Sequence, residues 1–336
     1  MKAITFTEHG LPIEDPRSLQ DVNIPQPVPG RRDLLVEVEA VSVNPVDTKV
    51  RAGTFAREPK VLGWDAAGTV REVGCEVSLF KPGDKVYYAG SLTRAGSYSE
   101  LQVVDERIVG HRPRSLSAAH AAALPLTSIT AWELLFDRLG VSERGGAGDA
   151  LLVVGAAGGV GSMLVQLART LTDMTVIGTA SRPESVDWVK RMGAHHVIDH
   201  GQPLLDQLQA LGVGEVSHVA SLTHTEEYLT QLIEVLRPQG RLGVIDDPRS
   251  LDVMPLKLKS LSLHWELMFT RSLFETPDMV KQHHLLNRIA QLIDQGILQT
   301  TLGAHFGAIN AANMRRAHAL VESGKARGKI VLESFR

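Results

Sequence analysis

Residues 150–161, ALLVVGAAGGVG, decide the fold predicted for this chain. The apolar residues at the start form a short buried strand that runs into a glycine-rich turn, and a helix begins near Val160. Gly158 lets the backbone approach a pyrophosphate closely, and Gly161 lets the helix pack tightly on the strand. Ala156 stands at the first glycine of the strict G-x-G-x-x-G pattern, and a purely structural turn is the alternative, because glycine-rich turns occur in many α/β proteins. The residues predicted to bind a dinucleotide are Gly155, Ala156, Gly158, Gly159, Val160 and Gly161.

The end of the next predicted strand indicates which dinucleotide binds. An NAD site usually has an Asp or Glu here, which bonds the ribose 2′-hydroxyl. This chain has Ala180, Ser181 and Arg182 instead. A hydroxyl and a guanidinium bind a 2′-phosphate directly, so the segment predicts NADP(H). The alternative is that Ser181 and Arg182 only begin the next helix, ahead of Pro183.

Strand and helix patterns alternate from about residue 126, which predicts a doubly wound parallel sheet with helices on both faces. The first third of the chain is instead rich in short strands separated by Gly- and Pro-containing turns, typical of a mostly antiparallel barrel or folded sheet. The fold class is therefore α/β with an additional β domain. The segments on either side of the doubly wound region are expected to rejoin as one domain.

Length and composition exclude several classes of protein. The chain has 336 residues, 35 basic and 38 acidic, with a formal net charge of -3. This balance argues against a nucleic-acid partner. No apolar run is long enough for a membrane span and the first residues lack a secretory core, so we expect a cytoplasmic protein without a membrane partner. Cys75 is the single cysteine, which excludes a Cys-rich zinc site.

Five motifs together resemble the medium-chain dehydrogenase/reductase superfamily, and in particular its zinc-independent quinone oxidoreductase branch. They are Asn44-x-x-Asp47-x-x-x-Arg51-x-Gly53, residues 62–68 (LGWDAAG), 81–86 (KPGDKV), 155–161 (GAAGGVG) and 328–332 (GKIVL). The resemblance implies a GroES-like domain over residues 1–125 and a Rossmann domain over 126–270. It also implies a C-terminal return, residues 271–336, that packs on the first domain.

Zinc-dependent members of that superfamily hold their catalytic metal with a Cys, a His in a Gly-His-Glu motif, and a third Cys or acidic residue. The corresponding positions here are Asn44, Trp64 and the segment 124–127 (LPLT). None supplies the expected ligand, and a zinc site needs three of them. We therefore expect no metal site.

Without a metal, the resemblance implies hydride transfer from NADPH to a quinone or another small electrophilic carbonyl compound, such as an α,β-unsaturated carbonyl. Asn44, Asp47 and Trp64 are implied to line the substrate cleft, with Asn44 donating to a carbonyl oxygen. Asp47 is alternatively a structural partner of Arg51, and Trp64 is alternatively core. Tyr87, Tyr88, Tyr98 and bulk water are candidate proton donors. Loops at 51–60, 90–96 and 269–275 are expected to shape the pocket.

The resemblance also extends the cofactor site and implies a partner. His200 matches a position near the adenosine 2′-phosphate, and Lys329 either supports the cofactor or only starts a strand. Ser260–Phe269 alternates like an exposed edge strand, which seeks a partner. We therefore expect a homodimer through this edge, unless the chain covers it. Two other functions stay open: a zinc-type alcohol dehydrogenase and a non-catalytic NADPH-binding sensor.

Overall fold

The computed structural model describes residues 1–53 and 61–335. These form two compact units, which we call the split unit (residues 1–129 and 269–336) and the central unit (residues 130–268). The strands are β1 Lys2–Thr5, β2 Gln20–Asn23, β3 Asp33–Val43, β4 Asp65–Val73, β5 Lys85–Tyr88, β6 Leu101–Asp105, β7 Val109–His111, β8 Ala150–Val154, β9 Thr175–Thr179, β10 His196–Ile198, β11 Val216–Ser221, β12 Leu236–Val244, β13 Ser262–Trp265, β14 Leu302–His305 and β15 Lys329–Glu333.

Helices connect these strands in both units. The α-helices are α1 Pro45–Arg51, α2 Ala118–Ala122, α3 Pro125–Trp132, α4 Gly159–Leu171, α5 Pro183–Arg191, α6 Leu204–Ala210, α7 Thr225–Val235, α8 Thr270–Leu273, α9 Lys281–Asp294 and α10 Ala311–Glu322. Short 3-10 segments lie at Pro16–Ser18, Glu106–Ile108 and Met254–Lys259, and a π-helical segment at Glu133–Arg138. Among the described residues, no helix has the length and apolar character that a membrane span requires.

The split unit is built on a seven-stranded, mostly antiparallel sheet. Its strand order is β14-β15-β3-β4-β5-β7, and β6 pairs with β3. The eleven-residue β3 is buried along most of its length and bonds β4, β6 and β15, all antiparallel. Since β14 and β15 lie in the C-terminal part of the chain, that segment completes the sheet that β3 begins, whereas β1 and β2 form a separate two-stranded sheet.

The central unit is a six-stranded sheet with the order β10-β9-β8-β11-β12-β13. All of its pairings are parallel. Strand order reverses between β8 and β11, and ligands of doubly wound sheets bind at the carboxyl ends of the strands beside such a point. Buried Val, Ile and Leu side chains from the strands and from α6 and α7 fill the core on one face. The predicted α/β class, with a β domain and a doubly wound domain, is confirmed.

One helix changes type along its length, and one predicted strand is shorter than expected. Helix α3 continues directly into the π-helical turn Glu133–Arg138. The strand expected over Ser260–Phe269 is limited to β13, Ser262–Trp265. Ser260 ends the preceding 3-10 segment in the left-handed conformation, with φ of 51°, so the extended backbone begins only after it.

Candidate functional site

The glycine-rich turn of the central unit connects β8 to α4. Gly155 has φ of +81°, a conformation that favours glycine, and its amide donates to Thr179 Oγ1 at 3.2 Å. The Gly158 amide donates to the Gly155 carbonyl at 3.1 Å and closes the turn. A Cβ added to Gly155 would lie 3.0 Å from Thr223 Cγ2, which follows β11. The turn therefore lies where the strand order reverses.

Helix α4 leaves its first amides available to a ligand. Its N-cap is Gly158, which has no side chain to bond them. A Cβ on Gly161 would lie 2.5 Å from the Gly155 carbonyl oxygen and 2.6 Å from Ala156 Cα, so only glycine allows this close packing. Free amides, the positive end of a thirteen-residue helix and a turn without bulky side chains fit the pyrophosphate of a dinucleotide.

Ser181 and His200 come together at the carboxyl ends of β9 and β10. Ser181 Oγ lies 3.3 Å from His200 Nε2. Arg182 is the exposed N-cap of α5, and the described residues offer its side chain neither a hydrogen bond nor an ion pair. A hydroxyl, an imidazole and a guanidinium thus follow the carboxyl ends of the paired strands β9 and β10.

Tyr228, in the first turn of α7, is a residue of this region that sequence reasoning missed. Its ring centroid lies 6.4 Å from that of His200, at an interplanar angle of 81°. The two residues are separated by a strand and a helix, and no local motif marks Tyr228. Only the sheet order brings them together.

In the split unit, buried Asp65 organises a polar network at the start of β4. Its Oδ2 accepts hydrogen bonds from Ser42 Oγ at 2.7 Å and Asn44 Nδ2 at 2.8 Å, and pairs with Lys329 Nζ at 3.2 Å. Its Oδ1 accepts from the Leu126 amide at 2.8 Å. Sequence reasoning treated Asp65 only as part of a motif, although the unusual Trp-Asp pair within LGWDAAG was the available signal.

Lys329 lies inside this network and has no hydrogen left for a cofactor. Its ammonium donates to the Val43 carbonyl at 2.8 Å and to Asn44 Oδ1 at 2.5 Å, and it pairs with Asp65. Those contacts use all three hydrogens that a lysine offers. These contacts favour the alternative expectation, that Lys329 starts β15 and compensates a buried carboxylate. Burial lowers its pKa, and the Asp65 charge opposes that shift.

Asp47 is fully buried, and its Oδ2 accepts the Asn44 amide at 2.5 Å. Burial raises the pKa of this carboxyl to about 7, although the bond from Asn44 and the charge of Lys329 oppose the shift. Arg51 instead pairs with Glu322 of α10. The expected pairing of Asp47 with Arg51 is therefore wrong, because the guanidinium joins α1 to the C-terminal helix.

The tyrosines proposed as proton donors are buried. Tyr98 Oη lies 3.3 Å from His318 Nε2, and Tyr87 Oη donates to the Leu286 carbonyl at 2.6 Å. Burial, and then the Asp47 charge, raise the pKa of Tyr98 well above its usual value. Burial lowers the pKa of His318 to about 3. Tyr98 and His318 are thus both neutral at pH 7.

Trp64 is a core residue. It is fully buried, its Nε1 donates to the Ser91 carbonyl at 3.0 Å, and its ring meets the Phe269 ring edge-on with centroids 6.2 Å apart. Of the loops expected to shape the pocket, residues 54–60 lie outside the described part of the chain.

The donors at the zinc positions do not fit a zinc ion. Trp64 has no ligating atom free, and Asn44 directs its amide at Asp65 and Lys329. Across residues 1–53 and 61–335, no three His, Cys, Asp or Glu side chains are grouped to hold a metal. Tetrahedral zinc requires at least three such ligands, and the described residues at these positions do not supply them.

Two family models match the chain. The alcohol dehydrogenase GroES-like domain matches residues 30–114, and the zinc-binding dehydrogenase domain matches residues 192–332. A zinc-type alcohol dehydrogenase-like protein of Staphylococcus aureus is 39% identical over 335 residues, which cover 99% of each chain.

Solved structures are similar over the whole chain. A Rhizobium etli CFN 42 protein proposed to be a zinc-dependent alcohol dehydrogenase is 54% identical, with a TM-score of 0.95 over 100% of this chain and 98% of that one. Escherichia coli quinone oxidoreductase, solved in complex with NADPH, is 25% identical, with a TM-score of 0.85 over 99% of this chain and 100% of that one.

Proposed function

The chain belongs to the medium-chain dehydrogenase/reductase superfamily, and we propose that it reduces a quinone or an α,β-unsaturated carbonyl with NADPH and without a catalytic metal. The observation that carries the proposal is the turn at residues 155–161, where uncapped helix amides and close backbone packing suit a dinucleotide. The similar quinone oxidoreductase of E. coli, solved with NADPH, supports the same class of reaction.

The preference for NADPH rests on the side chains at the ends of β9 and β10. Ser181, Arg182 and His200 offer a hydroxyl, a guanidinium and an imidazole. Carboxylates repel a 2′-phosphate, and residues 179–182 contain none. Hydrogen bonds to charged groups contribute about 1.5–3 kcal/mol each, which is enough to separate NADPH from NADH.

When bound, the nicotinamide supplies a hydride. Reduction without a metal is feasible when the acceptor carbon is already electrophilic and a hydrogen bond stabilises the negative charge that develops on its oxygen. Asn44 has two amide hydrogens, and one of them bonds Asp65. We assign the other to the acceptor oxygen. Lys329 and Asp65 fix the orientation of the Asn44 amide. The Lys329 ammonium can only donate and faces Oδ1, whereas the Asp65 carboxylate can only accept and faces Nδ2. The proton that completes the product comes from water.

The deciding experiment measures oxidation of NADPH and, in parallel, NADH by the purified protein with EDTA present. One ortho-quinone and one simple enone serve as acceptors. We expect chelator-resistant turnover that favours NADPH. Binding of NADPH without turnover of either acceptor would contradict the proposal and favour a non-catalytic sensor.

A matched pair of variants tests the cofactor preference. Arg182→Ala is expected to raise the KM for NADPH at least about tenfold and to leave that for NADH unchanged, because only NADPH carries the 2′-phosphate. Lys190→Ala removes an exposed cation from the last turn of the same helix and should alter neither value. Equal effects of both variants would indicate general electrostatic attraction instead.

A zinc-type alcohol dehydrogenase is the second candidate, and the description of the matching family model favours it. Metal analysis of the purified protein separates the two. Near-stoichiometric zinc, lost together with activity on chelation, would support this candidate. Activity in metal-free protein would exclude it.

A further inference from the structure

The contact between His200 and Tyr228 crosses the carboxyl edge of the central sheet. His200 follows β10 at one end of the sheet, whereas Tyr228 lies in the helix after β11, and β9 and β8 lie between those strands. β9 ends beside Ser181, and β8 ends in the glycine-rich turn. A pair that spans these two ends lies on the side of the sheet where dinucleotides bind.

The imidazole of His200 is held from two sides. Ser181 Oγ lies 3.3 Å from Nε2, and the Tyr228 ring packs almost perpendicular to the imidazole, with 6.4 Å between the centroids. Edge-to-face packing restrains the plane of a ring as well as its position. The described residues place no hydrogen-bond partner at Nδ1, so this nitrogen is left for a ligand.

We propose that Tyr228 is a positioning residue for cofactor selection, which holds the His200 imidazole so that Nδ1 donates to the adenosine 2′-phosphate. This role rests on the NADPH preference proposed above. Tyr228 itself makes no contact with the phosphate. Tyr228 acts through the ring and not through its hydroxyl.

Two carboxylates lie close enough to act on the Tyr228 phenol. Asp199 adjoins His200 and Glu227 adjoins Tyr228, and after burial their charges raise the pKa of that phenol. Carboxylates repel a 2′-phosphate, and an imidazole donor held in a fixed direction offsets part of that repulsion.

Calorimetric titration with 2′,5′-ADP and 5′-AMP isolates this effect, since the two ligands differ only in the 2′-phosphate and no turnover is needed. Tyr228→Leu is expected to weaken 2′,5′-ADP binding about 2- to 10-fold and to change 5′-AMP binding less than about twofold. Tyr228→Phe keeps the ring and should bind both ligands as the native protein does. Thr230→Leu, at an exposed position of the same helix, is the matched control and should have no effect.

A double-mutant cycle with His200→Ala tests whether Tyr228 acts through His200. We expect Tyr228→Leu to cause no further loss of 2′,5′-ADP affinity once the imidazole is absent. Additive losses, or an equal loss for 5′-AMP, would overturn the positioning role and indicate a general wall of the adenosine site. A native protein that binds both ligands equally would overturn the NADPH preference and this inference together. Native discrimination that Tyr228→Leu leaves intact would overturn the inference alone.

Discussion

Asp47 carries a buried carboxyl group that links folding to pH. Its pKa is about 7 in the folded protein and near 3.8 when exposed, so the folded state holds a proton that the unfolded state releases. The stability contribution therefore falls as pH rises from about 4 to about 7 and is constant above that. Asp47→Asn should remove this pH dependence, which amounts to up to about 4 kcal/mol in the free energy of unfolding.

Urea unfolding of both proteins at pH 4.5 and pH 8 measures the difference. The native protein should lose more stability than the variant between the two values. Parallel losses would mean that Asp47 stays ionised in the fold, stabilised by the Asn44 amide and Lys329.

Substitution of Lys329 tests whether this residue is a structural cation or a cofactor ligand. Lys329→Met leaves Asp65 buried without its counter-charge and should cost about 3–5 kcal/mol of stability. NADPH affinity, measured by fluorescence titration on the folded variant at low temperature, should change less than about twofold.

Adding Asp65→Asn to Lys329→Met is the control, because it removes the uncompensated charge and should restore part of the stability. A large loss of NADPH affinity in a variant of normal stability would return Lys329 to the cofactor site.

At the scale of elements, substitutions at two glycines of the turn between β8 and α4 distinguish an effect on stability, caused by steric strain, from an effect on ligand binding. Gly161→Ala would place Cβ 2.5 Å from the Gly155 carbonyl oxygen and should cost about 1–3 kcal/mol of stability. A Cβ on Gly158 would meet that same oxygen at 3.4 Å, an ordinary contact. Gly158→Ala should therefore fold normally.

NADPH binding should respond differently. Gly158→Ala covers the surface that the pyrophosphate approaches, so we expect about tenfold or greater loss of affinity, measured by titration beside thermal unfolding. Normal affinity in this variant would mean that the pyrophosphate binds elsewhere.

These elements also show what a sequence can predict. Strand, turn and helix at 150–161 are consecutive, so their periodicity and glycines predict the local structure. The contacts of Lys329 with Asn44 and Asp65 join residues far apart in the chain, and the pairing of His200 with Tyr228 depends on sheet order. No local pattern encodes such contacts. Even the true partner of Arg51, Glu322, lies on a C-terminal helix, whereas Asp47 is its near neighbour in sequence.

At the scale of the whole molecule, the free edge of the central sheet predicts a homodimer. β13 ends the strand order, so its second edge pairs with no described strand. Trp265, the last residue of β13, and Leu267 just after it are 53% and 45% exposed. We expect light scattering at micromolar concentration to give twice the 36.5 kDa of one chain.

Trp265→Glu should shift that mass toward the monomer, since it places a charge in the proposed interface. Val28→Glu alters an equally apolar side chain in the split unit, 86% exposed, and should leave the mass unchanged. A monomeric native protein would contradict the dimer.

Because the sheet of the split unit contains strands from distant parts of the chain, it cannot be completed during synthesis until β15 has been made. The bond from Lys329 to Val43 closes a loop of 286 residues, and a ribosome adding about 5–20 residues per second needs roughly 15 to 60 s to span it. During that interval the edge of β3 lacks β15, and Asp65 lacks its cation. The central unit is continuous in the chain and is complete sooner. Strand β15 thus completes the split unit, whose first strands are synthesised before the central unit. In the nascent chain, the edge of β3 is therefore the sheet edge that stays unpaired longest.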